Sequence, residues 1–511
     1  MIDTSAYQSL KRLADDPVDL RQGISKDRLL RFASHTKLLS LHYALERVDQ
    51  RVLLTLQQLA RETDAVQQFH AMAEGAFINQ VEGCTDRPVQ VLHLLNRLMP
   101  KKGLDQARSH ILEQRRNIID YLTTCPFERV VQIGIGGSEL GPKAIYRALT
   151  HHHDAKRRLN FLSNVDPDHT EAVLQAVDPR KTLFVVVSKS GSTLETQVNE
   201  RRARECLAAC GLDPRQHMVA ITTPGSKLDQ DTDFHARFTM LEAVGGRFSA
   251  TSPVGEFCLR FGLGNEVVDH FLAGAATMDE TALNTDIRHN PSLLSALLNV
   301  WNHHFLGINN RAVLPYAHHL DEFVLHLQQC AMESNGKSVH RMGYPISYPT
   351  AAVLWGAPGT NSQHSFFQQL HQGTVQTQCT FLGFECSQSK TADTQAHLAL
   401  NQNLVAQMVA LACGQPSENA NRRFEGNRCS RLITARQLNA ETVGALLSFF
   451  ENEIAYEGFL LGVNSFDQEG VQLGKVLATA LDPEQTALRE KLGGLSQVLL
   501  DAESAFLGRT K

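Results

Sequence analysis

Four hydroxyl side chains lie within one short segment, residues 188–193 (Ser-Lys-Ser-Gly-Ser-Thr), directly after the apolar run 184–187. A buried strand that ends in a turn and opens a helix would bring hydroxyls and unpaired backbone N–H groups together, and both donate to phosphate oxygens. Gly191 allows a ligand close to the backbone, and Lys189 adds positive charge. A helix cap needs only one or two hydroxyls. The segment therefore predicts a phosphate-binding turn.

A glycine-rich segment, Gly134-Ile-Gly-Gly-Ser138, ends a predicted strand over residues 130–135 and leads into a helix. Such a loop brings the backbone close to an anionic ligand. It does not match the dinucleotide-binding pattern, because Glu139 stands where the last glycine is required. The other nucleotide pattern fails as well, since Gly336-Lys-Ser is preceded by Ala331 where a phosphate-binding loop needs glycine. Both failures argue against a nucleotide-dependent enzyme.

Residues 321–334 predict an amphipathic helix that Asn335-Gly336 terminates. Glu333 then lies in its last turn, one turn beyond Gln329. A carboxylate at the negative end of the helix dipole is favoured to take up a proton, which suits a general base. A solvated glutamate at a helix end is the ordinary alternative.

Further polar residues are candidates for proton transfer or charge stabilisation. Arg247, after two glycines, is a candidate fixed cation, and Gln468 and Lys475 share one helix face. His364 and His371 are two turns apart, about 10 Å along a helix axis, which is too far to share one metal ion. Taken singly, none of these features indicates a function.

The composition limits the class of protein. The 511 residues are 42% apolar and 20% charged, which suits globular domains of roughly 150 residues each. A formal charge of -5 argues against a nucleic-acid partner. No apolar run reaches the roughly 18 residues that span a bilayer, and no secretory signal is expected. Ten cysteines without a Cys-x-x-Cys pair predict free thiols, no metal site and a cytoplasmic location.

Hydrophobic patterns predict the elements that must position these groups. Short β-branched runs alternate with helical patterns at 130–135, 159–162, 184–187 and 218–223, and again at 312–316 and 380–384. This alternation is typical of βαβ units and predicts an α/β protein with parallel sheets. Near the start, an apolar spacing of three or four predicts one helix face, formed by Leu38, Leu41, Leu45, Val48, Val52, Leu56 and Leu59.

We expect three segments along the chain. An N-terminal helical segment covers residues 1–110 and packs on the core. A first α/β domain, with the phosphate-binding turn, covers 111–285. A second α/β domain with C-terminal helices covers 286–511.

Six motifs in order along residues 133–475 make the chain resemble the phosphoglucose isomerase family. They are Ile133-Gly-Ile-Gly-Gly-Ser-Glu-Leu-Gly-Pro, Ser188-Lys-Ser-Gly-Ser-Thr, Gly245-Gly-Arg-Phe-Ser, Met332-Glu-Ser-Asn-Gly-Lys, Gly359-Thr-Asn-Ser-Gln-His, and Asn464-Ser-Phe-Asp-Gln through Leu473-Gly-Lys. The resemblance implies two doubly wound parallel-sheet domains of the sugar-isomerase (SIS) type with surrounding helices. It also implies a homodimer whose active site is shared between subunits.

The resemblance further implies an activity and residue roles. The activity is the aldose–ketose isomerisation of glucose 6-phosphate and fructose 6-phosphate, a step of glycolysis and gluconeogenesis that needs no cofactor. Glu333 would be the base, and Arg247 would face the developing charge. His364, supplied by the partner subunit, and Lys475 would open the sugar ring. The other implied contacts are Ser188, Lys189, Ser190 and Thr193 at the phosphate, and Gly137, Ser138, Gln329 and Gln468 around the sugar.

The chain departs from the family's common pattern at Gly191 and Leu194 in the phosphate-binding turn, and at Ala357 and Glu469. None of the four replaces an implied catalytic group, so the individual phosphate contacts are affected rather than the reaction. Two alternatives stay open. One is an isomerase of another phosphosugar, and the other is a non-catalytic sugar-phosphate sensor of the same fold, which would keep the turn but need no base.

Overall fold

The structure is a computed structural model that describes residues 1–22, 24–97, 103–482 and 484–507. The chain divides into two units, residues 1–465 and residues 466–511. Within the described residues, no helix has the length and apolar character needed to cross a membrane. In the same part of the chain, no group of three or more His, Cys, Asp or Glu side chains is arranged to hold a metal ion.

The first unit contains two β-sheets. Their strands are β1 (Ala33–His35), β2 (Ser40–His42), β3 (Arg129–Ile133), β4 (Arg158–Leu162), β5 (Thr182–Val187), β6 (Met218–Thr222), β7 (Ala236–Thr239), β8 (Asn310–Pro315), β9 (Val353–Gly356), β10 (Gln378–Cys386) and β11 (Ser430–Gln437).

Helices surround the sheets and make up the second unit. In the first unit they are α1 (Ser5–Leu13), α2 (Lys26–Arg31), α3 (Gln50–Glu62), α4 (Ala65–Ala73), α5 (Asp105–Thr124), α6 (Leu140–Ala148), α7 (Pro167–Gln175), α8 (Leu194–Ala209), α9 (Pro214–His217), α10 (Lys227–Gln230), α11 (Pro253–Leu263), α12 (Asn265–Thr281), α13 (Pro291–Val300), α14 (Asp321–Asn335), α15 (Phe367–Gln372), α16 (Thr394–Cys413) and α17 (Ala440–Leu461). The second unit contains α18 (Gln472–Ala480), α19 (Thr486–Leu492) and α20 (Gly494–Leu507).

The first sheet has the order β4-β3-β5-β6-β7, and all its strands are parallel. β5 is buried along its whole length, because helices cover both faces of the sheet and its apolar, β-branched sequence suits that position. On one face, Phe184 and Val186 pack with Leu174 of α7 and Leu207 of α8. β3 and β5 are adjacent although β4 lies between them in sequence. The strand order reverses there, and such a switch point is where open α/β sheets bind ligands.

The second sheet has the order β1-β2-β11-β10-β8-β9. β8 to β11 are parallel, whereas β1 and β2 are antiparallel to each other and β2 is antiparallel to β11. The predicted α/β class with two sheets flanked by helices is therefore confirmed. The N-terminal segment adds the antiparallel pair β1 and β2 to the edge of the second sheet.

The prediction of a long N-terminal helix face is wrong for the first half of that face. Leu41 lies in β2 and pairs with Ile433 of β11, so its burial comes from the sheet. α3 begins only at Gln50, because the Asp49 carboxylate accepts a hydrogen bond from the Val52 amide and caps the helix there. Only the second half of the predicted face, from Val52 to Leu59, is helical. The domain boundaries at residues 110 and 285 stay predictions.

Candidate active site

The predicted phosphate-binding turn, residues 188–193, leaves the carboxyl end of β5 at the switch point of the first sheet. The Ser188 amide donates to the Ile221 carbonyl over 3.1 Å, and the Thr222 hydroxyl donates to the Ser188 carbonyl over 2.7 Å. Both bonds attach the start of the turn to the end of β6. The turn is therefore fixed at the edge of the sheet, where the carboxyl ends of the parallel strands meet.

Hydroxyl groups organise the interior of the turn. The Ser188 hydroxyl accepts a hydrogen bond from the Gly191 amide at 3.1 Å and lies 3.3 Å from the Thr193 hydroxyl. The Ser190 and Ser192 hydroxyls lie 2.8 Å apart. Gly191 has a φ of +67°, a left-handed conformation that favours glycine.

Helix α8 starts directly after the turn, and no side chain in the described residues caps it. Thr193 occupies the N-cap position, but its side chain accepts no hydrogen bond from the first turn of the helix. The amide groups of that turn therefore remain available to an anion at the positive end of the helix dipole. The structure brings together the predicted residues Ser188, Ser190 and Thr193 at this point.

Lys189 binds a neighbouring backbone segment through its ammonium group. Its ammonium group donates to the carbonyl of Glu242 over 2.6 Å and to that of Val244 over 3.3 Å. Desolvation at this position lowers the pKa of Lys189. In this structure, Lys189 thus attaches the phosphate-binding turn to the segment that leads into Gly245.

The glycine loop, residues 134–138, contacts the other parts of the candidate site. A β-carbon placed on Gly134 would lie 3.0 Å from the Val187 carbonyl, immediately before the phosphate-binding turn. A β-carbon on Gly137 would collide with the backbone of Gly246. Only glycine at position 137 permits this close approach, so one function of Gly137 is to seat the backbone that carries Arg247.

Gln329 of α14 faces the same loop. A β-carbon at Gly136 would lie 3.2 Å from its amide nitrogen. Its amide oxygen is buried and accepts no hydrogen bond from the described residues. A buried polar atom without a partner is costly, and a ligand hydroxyl at this point would satisfy it. Ser138 follows the glycines and is half-buried.

Glu333 and Arg247 form an ion pair beside the glycine loop. The Arg247 Nη1 atom lies 3.6 Å from Glu333 Oε1. The Arg247 side chain is only 1% exposed, whereas that of Glu333 is 20% exposed. The carboxylate can therefore meet a ligand from solvent, while the guanidinium is a buried, permanent positive charge next to it.

The remaining predicted residues are His364, Gln468 and Lys475. His364 lies in the short 3-10 turn Asn361–His364 after β9, and it is exposed. Gln468 and Lys475 belong to the second unit, where Lys475 is an exposed residue of α18. Their predicted roles in the pocket stay predictions.

Ser334 and Ser465, to which the sequence assigned no role in the site, hold Arg247. The Ser334 hydroxyl accepts from Arg247 Nε over 2.7 Å, and the Ser465 carbonyl accepts from Arg247 Nη2 over 2.6 Å. Ser334 is adjacent to Glu333 in a predicted helix, which was the only available signal. No pattern in the neighbouring sequence predicted that the Ser465 carbonyl would hold Arg247.

The switch point of the first sheet thus carries hydroxyl groups and the start of a helix that the Thr193 side chain does not cap. The glycine loop contacts the backbone of Gly246, next to Arg247. Arg247 in turn forms the ion pair with Glu333. These features define an α/β protein that binds an anionic ligand and can move a proton on it.

Comparison with known proteins identifies the group more narrowly. The family model described as Phosphoglucose isomerase matches residues 42–492, and the chain belongs to that family. It is 43% identical to glucose-6-phosphate isomerase of Chlamydia muridarum over 496 residues, or 94% of each chain. It is 42% identical to the enzyme of the same name from Desulfotalea psychrophila, covering 100% of this chain and 98% of that one. A crystal structure of a glucose-6-phosphate isomerase from Chlamydia trachomatis superposes with a TM-score of 0.95 at 40% identity, covering 99% of both chains.

Proposed function

We propose that the chain catalyses the reversible isomerisation of glucose 6-phosphate and fructose 6-phosphate. The family and the names of its relatives support this substrate pair. The observation that carries the chemistry is the pairing of a solvent-accessible carboxylate, Glu333, with the buried guanidinium of Arg247. A sensor would need the phosphate-binding turn but not this pair.

Glu333 acts as the single base of the reaction. It removes the proton from C2 of the open-chain aldose and returns it to C1, while the proton of the C2 hydroxyl is transferred to the C1 oxygen, so that C1 carries a hydroxyl and C2 becomes the carbonyl. Its partial exposure lets it reach a bound sugar. General-base catalysis of this kind contributes about 10²–10⁴-fold.

Arg247 stabilises the enediolate intermediate, which carries more negative charge than the starting carbonyl. Because its guanidinium is already buried and fixed, little reorganisation is needed when the charge develops. The phosphate-binding turn holds the far end of the sugar, so that binding energy remote from C1 and C2 orients the reacting carbons.

His364 and Lys475 open the sugar ring by transferring protons between the ring oxygen and the C1 hydroxyl. The family's motifs at residues 359–364 and 473–475 support this assignment. We further propose a cytoplasmic homodimer in which each site uses His364 of the partner subunit. The exposed position of His364 suits a residue that serves a neighbouring chain. Neither nucleic acid nor a membrane takes part, and the proposed reaction uses no metal or redox cofactor.

The decisive experiment follows turnover and proton exchange together. The purified chain is assayed with glucose 6-phosphate, with mannose 6-phosphate as the competing phosphosugar, by coupled detection of fructose 6-phosphate. We expect glucose 6-phosphate to be the preferred substrate. In deuterated water, Glu333→Gln should bind substrate but show no deuterium incorporation at C2. Glu322→Gln, at the opposite end of the same helix, should exchange normally. Binding without turnover by the unaltered chain would instead favour the sensor.

The shared site can be tested by complementation. Glu333→Gln and His364→Ala homodimers should each be inactive. After subunit exchange, mixed dimers should contain one intact site, giving roughly a quarter of normal activity in an equal mixture if two chains form a closed dimer. Mixtures that stay inactive although mixed dimers form would place His364 in the same subunit's site, and an active His364→Ala homodimer would place it outside the reaction.

A further inference from the structure

The guanidinium of Arg247 is held along one edge by two acceptors. Its Nε atom donates to the Ser334 hydroxyl over 2.7 Å, and its Nη2 atom donates to the Ser465 carbonyl over 2.6 Å. Because the guanidinium is planar and rigid, two such bonds fix its orientation in the plane. The remaining nitrogen, Nη1, is the one that lies 3.6 Å from Glu333.

Ser334 and Glu333 are consecutive residues in the last turn of α14. Ser334 is fully buried, with 0% of its surface exposed, while its neighbour reaches solvent. The helix backbone therefore sets the distance between the base and the hydroxyl that holds the cation. Any movement of this helix end would carry both groups together.

The second acceptor is fixed from α17. The Ser465 hydroxyl donates to the Asn335 side-chain oxygen over 2.7 Å, and the Asn335 amide donates to the Ile454 carbonyl over 3.0 Å. A β-carbon on Gly458 would collide with the Ser465 hydroxyl, so glycine in α17 is required for this arrangement. Asn335 and Ser465 are both buried.

We infer that Ser334 is a positioning residue, whose hydroxyl aims the Arg247 guanidinium at the charge that forms beside Glu333. The inference rests on the proposed function. Arg247 without this bond would stay buried and positively charged, but it could tilt about its remaining contacts. A misplacement of about 1 Å can cost roughly 100-fold in rate. The loss should therefore appear in the chemical step, since the phosphate-binding turn that anchors the substrate is unchanged.

The test is a steady-state comparison of the full-length chain with Ser334→Ala. We expect kcat to fall about 10- to 100-fold, while KM changes by less than about threefold. Ser334→Thr keeps the hydroxyl and should recover much of kcat if the added methyl group is accommodated. Ser448→Ala is the matched control, because Ser448 is equally buried in a helix and donates to Asp279 over 2.5 Å outside this site. The control should keep a normal kcat even if its melting temperature falls as much as that of Ser334→Ala.

A double-mutant cycle separates positioning from general damage. Lysine lacks the guanidinium Nε–H that donates to the Ser334 hydroxyl. In an Arg247→Lys background, Ser334→Ala should therefore lower kcat little further. An equal kcat loss in both backgrounds, an unchanged kcat in Ser334→Ala, or a loss confined to KM would each overturn the inference. Failure of the proposed function is distinct, because the unaltered chain would then produce no fructose 6-phosphate.

Discussion

Two Ser/Thr-rich turns occupy equivalent places in the two sheets. The phosphate-binding turn follows β5, and a second turn, residues 387–393 (Ser-Gln-Ser-Lys-Thr-Ala-Asp), follows β10. Along the parallel part of each sheet, the strand after which the turn occurs is third in sequence and lies next to the first. Each turn leads into a long helix, α8 or α16. The topology therefore offers a ligand the same position twice.

The internal hydrogen bonds of the two turns are also alike. In the phosphate-binding turn, the Ser192 amide donates to the Ser190 hydroxyl over 3.2 Å. In the second turn, the Thr391 amide donates to the Ser389 hydroxyl, also over 3.2 Å. Hydroxyl content and local bonding thus do not distinguish them.

The residue at the start of the helix does distinguish them. Asp393 caps α16, and its carboxylate accepts from the amides of Gln395 at 2.8 Å and Ala396 at 3.3 Å. A negative charge therefore already occupies the positive end of that helix dipole. Thr193 makes no such cap on α8. The second turn also has structural contacts, since the Gln388 side chain donates to the Ala148 carbonyl of α6 over 2.9 Å. The residue at the start of the helix therefore decides which of the two turns can receive an anion.

Thr193→Asp should have the largest effect, because it gives the phosphate-binding turn the cap of the second turn. Two unit charges about 4 Å apart repel by about 4 kcal/mol at an effective dielectric of 20. We therefore expect KM for glucose 6-phosphate to rise at least 100-fold in steady-state assays, while the melting temperature is unchanged or higher. Thr193→Asn is the neutral control and should raise KM far less. Equal effects of the two substitutions would show that charge at this position is irrelevant to phosphate binding.

Gly191→Ala should have an intermediate effect. The left-handed conformation costs a residue with a β-carbon about 1–2 kcal/mol, and that carbon would lie 3.1 Å from the Leu228 amide. We expect KM to rise about tenfold if relief of the strain shifts the turn by a few tenths of an ångström. Gly211→Ala is matched, because φ there is +69° and no atom lies within 4 Å of the new carbon. Gly211→Ala should lose a similar free energy of unfolding in urea but keep its KM. A raised KM in Gly211→Ala would show that general strain, and not a shift of the phosphate-binding turn, raises KM in Gly191→Ala.

Asp393→Ala should have the smallest effect. Loss of an N-cap costs about 1 kcal/mol, so a slightly lower urea midpoint is expected. Because no substrate phosphate is assigned to the second turn, both kcat and KM should stay normal. A changed KM in Asp393→Ala would contradict this expectation. If inorganic phosphate added to the unaltered chain produced the same change, the second turn would be shown to influence the first.

The sequence predicted those parts of the fold that local pattern determines. Residues 218–223 were expected as a strand and form β6 (Met218–Thr222), and residues 321–334 were expected as a helix and form α14 (Asp321–Asn335). Both have strong signals, a buried β-branched run in one case and a regular apolar face with a glycine stop in the other. The hydroxyl turn was predicted for the same reason, since its composition is unusual over only six residues.

Elements and contacts that depend on distant residues were missed. β2 is a strand because it pairs with β11, although its Leu41 fits a helical spacing, and β1 pairs in turn with β2. The short β7, Ala-Arg-Phe-Thr, has too few apolar residues to show a period. The hydrogen bond from Arg247 to the Ser465 carbonyl depends on the packing of α14 against α17. No spacing of residues within one segment predicts that packing.

The pairing of β2 with β11 also has a consequence for how the chain is made. The first sheet can form as soon as residue 239 has left the ribosome, but Leu41 must wait for Ile433. At roughly 5–20 residues per second, the roughly 390 residues between them take about 20–80 s to synthesise. During that time β2 can pair with β1, but its other side has no strand to pair with. The newly made N-terminal segment therefore carries an unpaired strand edge, which favours aggregation, until β11 has been made.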